Sequence, residues 1–556
     1  MFDILRQPDF LHLIRTNGMT RLSAAGGGED YGLEDTSIRI ASGEDDVLRV
    51  ELIGRATPIR GVHLRWNSPP RSGCLYLRDS WCRSEAEQAW RTLVPEEIMP
   101  WYFLVHDGAG ARSHGIGVKT NGNAFCSWQV DPEGISLWID TRNGGEGFVP
   151  GGRRLVVAEV VTVSGAAGQK PFAVGQALCR RMASEEFRPP AHTVYGGNNW
   201  YYAYGHITED QCVDDAARIA QLSAGNSERP YMLVDDGWQI KHQPGLYNAG
   251  PWHEGNEKFR SLPRMAERMR AEGTRPGLWY RPLPTVDPDM RKFTIQTPAR
   301  CPWAEQGKAL DPTIPEAAEQ IRLDARRIAE WGFELIKHDF TTVDLLGSWQ
   351  HGSNAPTVDP GGGWHFHDRT LTNAEIVKNL YRMIKDCGSL ILGCQTVGHL
   401  GLGTIDIQRQ GGDVDGRGWE RTRRMGPNAL AFRMPQHNAF FLSDADCAPV
   451  TPTLPWSLSR QWLDLLARSG TPLFVSVDPK ALNREVRAAI SDALAIAGAG
   501  SAPAEPLDWL ETACPRHWRF SDGTEKTYDW LPEASVAPPG LTPGDPARLL
   551  EESGCD

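Results

Sequence analysis

Glu334-Leu335-Ile336-Lys337-His338-Asp339-Phe340 reads as a buried strand that ends in charge. Two apolar residues run straight into a lysine, a histidine and an aspartate. The period-two alternation of a strand puts Lys337 and Asp339 on one face and His338 on the other. A strand end of this kind marks the rim of a site in a parallel α/β barrel. A second acidic cluster, Arg409-Gln410-Gly411-Gly412-Asp413-Val414-Asp415, lies downstream, with Asp413 74 positions after Asp339. Two carboxylates on loops of one large domain suggest paired acid chemistry.

Working outward from this stretch, the region from about 193 to 480 alternates strand and helix. Apolar runs end in polar residues at Val194–Asn199, Tyr231–Asp236, Pro276–Arg281, Glu334–Asp339, Leu390–Gln395, Thr404–Arg409, Asn438–Asp444 and Pro472–Asp478. Helical periodicity fills most of the gaps. In Pro315–Trp331, Ala318, Ile321, Ala325 and Ile328 share a face, Pro315 suits the first turn, and Gly332 suits the residue past the end. Eight such strands are the number a (β/α)8 TIM barrel requires. The loop after the fourth strand is long and glycine-rich through Pro360-Gly361-Gly362-Gly363-Trp364, as loops that shape barrel pockets are.

The flanks read differently. Before about 190 the chain is β-rich. Leu48–Ile53, Gly61–Trp66, Ser136–Asp140 and Arg154–Val161 are short strands between Gly, Pro and Asn turns, the pattern of a β-sandwich. Pro189-Pro190 reads as the linker. After about 500, Trp518-Arg519-Phe520 and Thr527-Tyr528-Asp529-Trp530 flank Asp522-Gly523, a hairpin signal. The expected layout is multidomain: an N-terminal β-sandwich over 1–190, a catalytic barrel over 191–499 and a small C-terminal β-rich segment over 500–556.

Composition bounds the function. The chain has 556 residues, 40% hydrophobic and 23% charged, ordinary for a soluble globular protein. A net charge of −12 with no basic run argues against nucleic acid and anionic membrane as partners. No stretch approaches the length of a membrane helix. Residues 1–9 lack the basic and apolar regions of a signal peptide, so a cytoplasmic location is the expectation. The 20 tryptophans suit both core packing and stacking on sugar faces. The 11 cysteines show no metal spacing and are read as mostly reduced, Cys394 and Cys447 as small hydrophobes. His365-Phe366-His367-Asp368 is weak evidence for a metal, since no third ligand follows at clear spacing. No phosphate loop or dinucleotide fingerprint is present in the right context.

In a barrel the polar residues at strand ends converge. The candidates are Asn198, Asn199, Trp200, Asp235, Asp236, Trp238, Arg281, Lys337, Asp339, Gln395, Arg409, Asp413 and Asp444. Asp235 and Asp236 can reach one ligand only if the strand turns there. Lys337 shares a face with Asp339 and would keep it ionised. Asp415 would raise the pKa of Asp413 and Arg409 would lower it, and the sequence leaves the balance open. Gly411 and Gly412 permit close approach of backbone to a ligand. His338 reads as a satisfied packing histidine.

At these residues the chain resembles the clan of retaining α-galactosidases, glycoside hydrolase families 27 and 36. Val234-Asp235-Asp236-Gly237-Trp238 is similar to the motif after the second barrel strand. Ile336-Lys337-His338-Asp339 is similar to the nucleophile motif, and Arg409 to Asp413 to the arginine followed by the acid/base aspartate. Gly196-Gly197-Asn198-Asn199-Trp200 resembles the opening strand, and Ser443-Asp444-Ala445-Asp446 a late acidic element. The matches run in order over roughly 194–480, and the sandwich before the barrel fits the family 36 layout.

The resemblance implies that Asp339 attacks the anomeric carbon and Asp413 is the acid/base. It implies that Asp235, Asp236 and Lys337 hold the C4, C6 and C3 hydroxyls, that Arg409 reaches the C2 side, and that Trp200 packs on the ring. Trp238, Arg281 and Gln395 join the expected substrate contacts. Arg281 and Gln395 stand where the family carries other residues, so they leave the accepted sugar open. The expected activity is cleavage of a terminal α-linked galactose or galactose-like sugar by double displacement, with a carbohydrate partner and no cofactor. The alternatives are an α-galactosyl transferase of the raffinose-synthase type, an α-N-acetylgalactosaminidase or β-L-arabinopyranosidase, and a non-catalytic sugar-binding barrel. A homo-oligomer is compatible with the sequence.

Overall fold

In a computed structural model, the structure describes residues 2–23, 29–42, 44–84, 88–95, 97–243, 247–297, 308–347 and 362–530. Most of the long loop expected after the fourth barrel strand, 348–361, lies outside them, as does 531–556.

The N-terminal region is a sandwich of two antiparallel sheets, one of six strands and one of eight. The expected strands form as Leu48–Gly54, Gly61–Trp66, Gly134–Asp140 and Arg154–Ser164. The inward faces meet through aromatic rings: Phe103 of the eight-stranded sheet lies edge-on to Trp128 of the six-stranded sheet, with centroids 6.1 Å apart.

The β-rich reading up to 190 misses one helix, Pro171–Met182. Pro171 opens it, and Phe172, Val174, Leu178, Cys179 and Met182 are buried along it. It packs on the strand Arg112–Val118, where a Cβ at Gly117 would come within 2.2 Å of the Met182 sulfur. The glycine is there to admit the helix.

All eight expected barrel strands form, as Tyr195–Asn198, Tyr231–Val234, Arg275–Tyr280, Leu335–His338, Leu390–Gly393, Ile407–Arg409, Leu442–Val450 and Leu473–Val477. Each pairs in parallel with the next, and the first pairs with the last, so the sheet closes. The seventh strand closes the ring by splitting. Leu442–Asp444 pairs with the sixth strand and Cys447–Val450 with the eighth, across a kink at Asp446, whose φ is 74°.

Alternation sorts the side chains. Leu233, Leu335, Leu392 and Ile407 pack together in one cluster, while Val234, Ile336 and Ile391 join the larger core shared with the helices. Asp235, Lys337, Asp339, Cys394 and Arg409 continue the inward parity one step further along each strand.

Helices separate most strands, Pro315–Glu330 among them, with Pro315 in its first turn as expected. After the fifth strand there is no helix. Only the 3-10 turn Gly398–Leu400 connects it to the sixth. The sandwich fills the gap: Trp101 stacks on His399 at 4.4 Å, and Asn121 donates to the carbonyls of His399 and Leu402.

The C-terminal hairpin forms as expected, with His517–Arg519 pairing to Glu525–Thr527, and Glu505–Pro506 adds a third strand. Trp419 donates to the Trp530 carbonyl, and Asp464 holds Lys526 and Tyr528, so this small sheet docks on barrel helices. Among the described residues no helix is long and apolar enough to cross a membrane, and the nine cysteines present are free thiols.

Candidate active site

The fourth strand delivers Lys337 and Asp339 to the same rim. Asp339 is fixed by three donors. The backbone N–H groups of Phe340 and Gln395 reach Oδ1 at 2.8 and 3.2 Å, and Trp279 Nε1 reaches Oδ2 at 3.3 Å. Phe340 follows at φ 61°, a left-handed conformation unusual for a bulky residue and typical of a functional turn.

Lys337 does not bond Asp339. Its ammonium donates to Asp235 Oδ2 at 2.7 Å, and both side chains are buried. Burial disfavours the charged amine, but Asp235 first, then Cys394 and Asp339, raise its pKa above the ordinary lysine value. Asn198 Nδ2 donates to the same Asp235 oxygen at 2.7 Å. The second strand does turn at this point. Asp236 N–H bonds Asp235 Oδ1 at 3.0 Å, and Gln239 Nε2 bonds Asp236 Oδ1 at 2.7 Å. Gly237 allows the turn at φ 121°, where a Cβ would sit 2.6 Å from the Gly205 carbonyl oxygen.

Among the described residues, Asp413 is bonded through one carboxylate oxygen. Arg83 Nη1 and Arg409 Nη2 reach its Oδ1 at 2.9 and 3.0 Å. Burial raises its pKa, but Arg83, Arg409, Arg421 and Lys337 outweigh that and hold it below the usual carboxylate range. This settles the balance left open by the sequence: the arginines win. Asp415 instead accepts from Tyr204 Oη and the Arg417 N–H, at 2.7 and 2.9 Å.

Trp200, at the start of a short helix after the first strand, is half-buried beside Tyr204. Gln395 is 8% exposed, and its side-chain oxygen has no hydrogen-bond partner among the described residues. Asp444 is buried on the seventh strand, and burial raises its pKa against the pull of Arg409.

Five expectations change. Arg281 does not face the cleft. It is fully buried, with Nε and Nη2 forking onto Asp344 at 2.9 and 2.6 Å and Nη1 on Asn248 at 2.7 Å. Trp238 is also fully buried, and its Nε1 donates to the Trp279 carbonyl at 2.8 Å, inside the wall. Arg409 is 1% exposed, and its Nη2 serves Tyr201, Gly412, Asp413 and Asp446, so it clamps carboxylates instead of reaching an open face. Gly411 makes room for protein, not ligand: a Cβ there would lie 2.5 Å from the Met425 carbonyl oxygen. His338 is buried against Tyr381, and neither ring nitrogen has a hydrogen-bond partner among the described residues, so it packs there without being satisfied by them.

At the sequence level no family model matches this chain, and no curated protein does. Solved structures do. The α-galactosidase of Thermus thermophilus in complex with p-nitrophenyl α-D-galactopyranoside aligns over 94% of this chain and 99% of its own, at 17% identity and a TM-score of 0.56. A family 36 α-galactosidase of Geobacillus stearothermophilus in complex with stachyose aligns over 93% and 79%, at 14% identity and a TM-score of 0.59. The α-galactosidase of Lactobacillus brevis aligns over 89% and 73%, at 14% identity and a TM-score of 0.55.

The chain has the family 36 α-galactosidase fold.

Within that fold, Trp279 and Arg83 escaped the sequence reading, and Asp446, quoted there only as part of the late acidic element, takes a definite place. Trp279 holds Asp339, and strand parity with Arg281 was its only signal. Asp446 accepts from Arg409, Tyr201 and the Val414 N–H. Arg83 comes from the sandwich, where nothing local marks it. His365 and His367 lie beside the sandwich and the third-strand loop: the N–H groups of Phe366 and His367 bond Asn143 and Asp311 at 2.8 Å each. No group of three metal-ligating side chains occurs among the described residues.

Proposed function

We propose that this chain is a retaining α-glycosidase that removes a terminal α-linked galactose or galactose-like sugar. One observation carries the reading. Asp339 and Asp413 stand at the ends of the fourth and sixth strands of a closed barrel, on the same rim, with Lys337 a charge neighbour of both. The neighbouring structures support the substrate class, being α-galactosidases that include complexes with p-nitrophenyl α-D-galactopyranoside and stachyose.

In the first step an Asp339 oxygen attacks the anomeric carbon as the bond to the aglycone oxygen breaks. Asp413, protonated for this step, gives its proton to that oxygen. In the second, Asp413 takes a proton from water, whose oxygen displaces Asp339 and regenerates the anomeric configuration. Asp235, Asp236 and Lys337 would hold the sugar hydroxyls, each carboxylate oxygen accepting more than one hydrogen bond. Trp200 would pack on the ring. The unbonded Gln395 amide oxygen would meet the C2 substituent.

The test is a panel of aryl α-glycosides: galactoside, N-acetylgalactosaminide, glucoside and β-L-arabinopyranoside. The α-galactoside is expected to be cleaved fastest, and Asp339→Asn to abolish it while the thermal midpoint holds. Full activity in that variant, or no cleavage of any member, defeats the proposal. Sugar–sugar products with an added acceptor would make the protein a transferase.

A further inference from the structure

The sandwich reaches the barrel's site through a short segment. Its segment Asp79–Ser84 is fastened to the loop after the sixth strand by two backbone hydrogen bonds. Ser84 N–H donates to the Gln410 carbonyl and Gly412 N–H to the Ser84 carbonyl, both at 2.7 Å. Asp79 pairs with Arg433 at 3.0 Å, and Arg433 also donates to the Cys82 carbonyl at 2.7 Å. The segment is therefore tied down on both sides of Arg83. From there Arg83 Nη1 reaches Asp413 Oδ1 at 2.9 Å and the Cys394 sulfur at 3.7 Å. Arg409, at the end of the sixth strand, meets the same Oδ1 at 3.0 Å. Asp413 Oδ2 takes no hydrogen bond from the described residues, and the side chain keeps 38% of its surface exposed.

We infer that Arg83 is a positioning residue of this site: with Arg409 it clamps Asp413 by Oδ1, leaving Oδ2 as the oxygen that exchanges the proton with substrate and water. The inference rests on Asp413 being the acid/base. It adds that the sandwich is part of the site and that the two oxygens of Asp413 have separate tasks.

Among the described residues, the charged groups around Asp413 come from several elements. Arg83 comes from the sandwich, Lys337 from the fourth strand and Arg409 from the sixth. Arg421, on the helix Trp419–Arg433, also donates to the Asp413 carbonyl at 2.7 Å. Asp444 and Asp446 of the seventh strand lie behind Arg409, and Tyr201 bonds it at 3.1 Å. Two guanidinium groups on one oxygen favour the ionised carboxyl, so Arg83 opposes protonation of Asp413 while it fixes the orientation. Without Arg83 the carboxyl binds its proton more tightly and turns more freely.

The experiment compares the full chain with Arg83→Gln by two readouts. The first is the pH profile of kcat/KM on an aryl α-galactoside. The second is the Asp413 titration in protein carrying 13C-labelled aspartate, the signal assigned by its loss in Asp413→Asn. In Arg83→Gln the titration midpoint and the alkaline limb are both expected to move up by about half a pH unit or more. Coincident midpoints overturn the inference. If Arg83→Gln does not fold, Arg83→Lys, whose shorter side chain does not carry its ammonium as far as the Nη1 that meets Oδ1 and the sulfur, is expected to move the midpoint the same way by less. No movement there overturns it equally. Should the wild type cleave no glycoside, the glycosidase reading falls and the titration still decides whether Arg83 holds Asp413. Should the wild type cleave galactosides with both midpoints coincident, Arg83 loses its role and the glycosidase reading stands.

Discussion

Lys337 Nζ lies 2.7 Å from Asp235 Oδ2, a buried ion pair between residues 102 positions apart. It ties the end of the fourth strand to the end of the second, and Asp339 keeps Lys337 only as a neighbouring charge. The site is thus a chain of linked charges, and removing one partner strands another.

Lys337→Met should show this. Asp235 would remain buried with Asn198 as its side-chain donor, and losing one partner of a buried pair costs about 3–5 kcal/mol. The urea midpoint is expected to fall accordingly, and kcat/KM on an aryl α-galactoside by about a hundredfold or more. An unchanged midpoint would show that the pair contributes nothing.

The Arg281–Asp344 fork gives a contrasting outcome. Both side chains are fully buried, and Arg281 also lies 4.5 Å over the Phe340 ring beside Asp339. Asp344→Ala is expected to cost about 3–5 kcal/mol of stability. The ratio of kcat/KM values across the aryl glycoside panel should stay as in the wild type. A change in sugar preference would return Arg281 to the substrate.

These two pairs show what the sequence could and could not tell. The eight strands and their polar ends were legible because period-two alternation and apolar runs are local signals. Lys337 and Asp339 were placed on one face correctly for that reason. Which carboxylate Lys337 bonds depends on the neighbouring strand, and only the closed sheet decides it. Arg281 obeyed the strand-end rule and still turned into the wall, because Asp344, 63 positions later, waits there. Arg83 had no signal at all, since its role exists only once the sandwich docks where the barrel lacks a helix. The helix at Pro171–Met182 was missed because it interrupts an otherwise β-rich region.

His338 gives a prediction about acid stability. Burial holds its pKa down to about 4 from an ordinary value of 6.5, only weakly opposed by Asp339. A histidine depressed in the folded state adds stability above its unfolded pKa and loses it as pH falls toward the folded one. The window runs from about 6.5 to about 4 and is worth about 3 kcal/mol. His338→Phe is expected to flatten that part of the unfolding free-energy curve. Parallel curves for wild type and variant from pH 7 to 4 would contradict it.

Asp413→Ala separates the two chemical roles. An aryl leaving group with a low pKa needs little protonation, so its cleavage should persist in part, while alkyl galactosides should be cleaved far more slowly. Azide, small enough to occupy the space of the lost carboxylate, is expected to accelerate turnover and yield the α-galactosyl azide, since it displaces Asp339 from the face that water uses. Equal losses on good and poor leaving groups would remove Asp413 from the acid role.

The central claim is double displacement through Asp339, and the anomeric form of the first sugar released tests it most directly. Proton NMR of p-nitrophenyl α-D-galactopyranoside cleavage by the wild type, followed before mutarotation, should show α-galactose appearing first. β-Galactose appearing first would mean that water attacks from the opposite face and Asp339 forms no covalent intermediate.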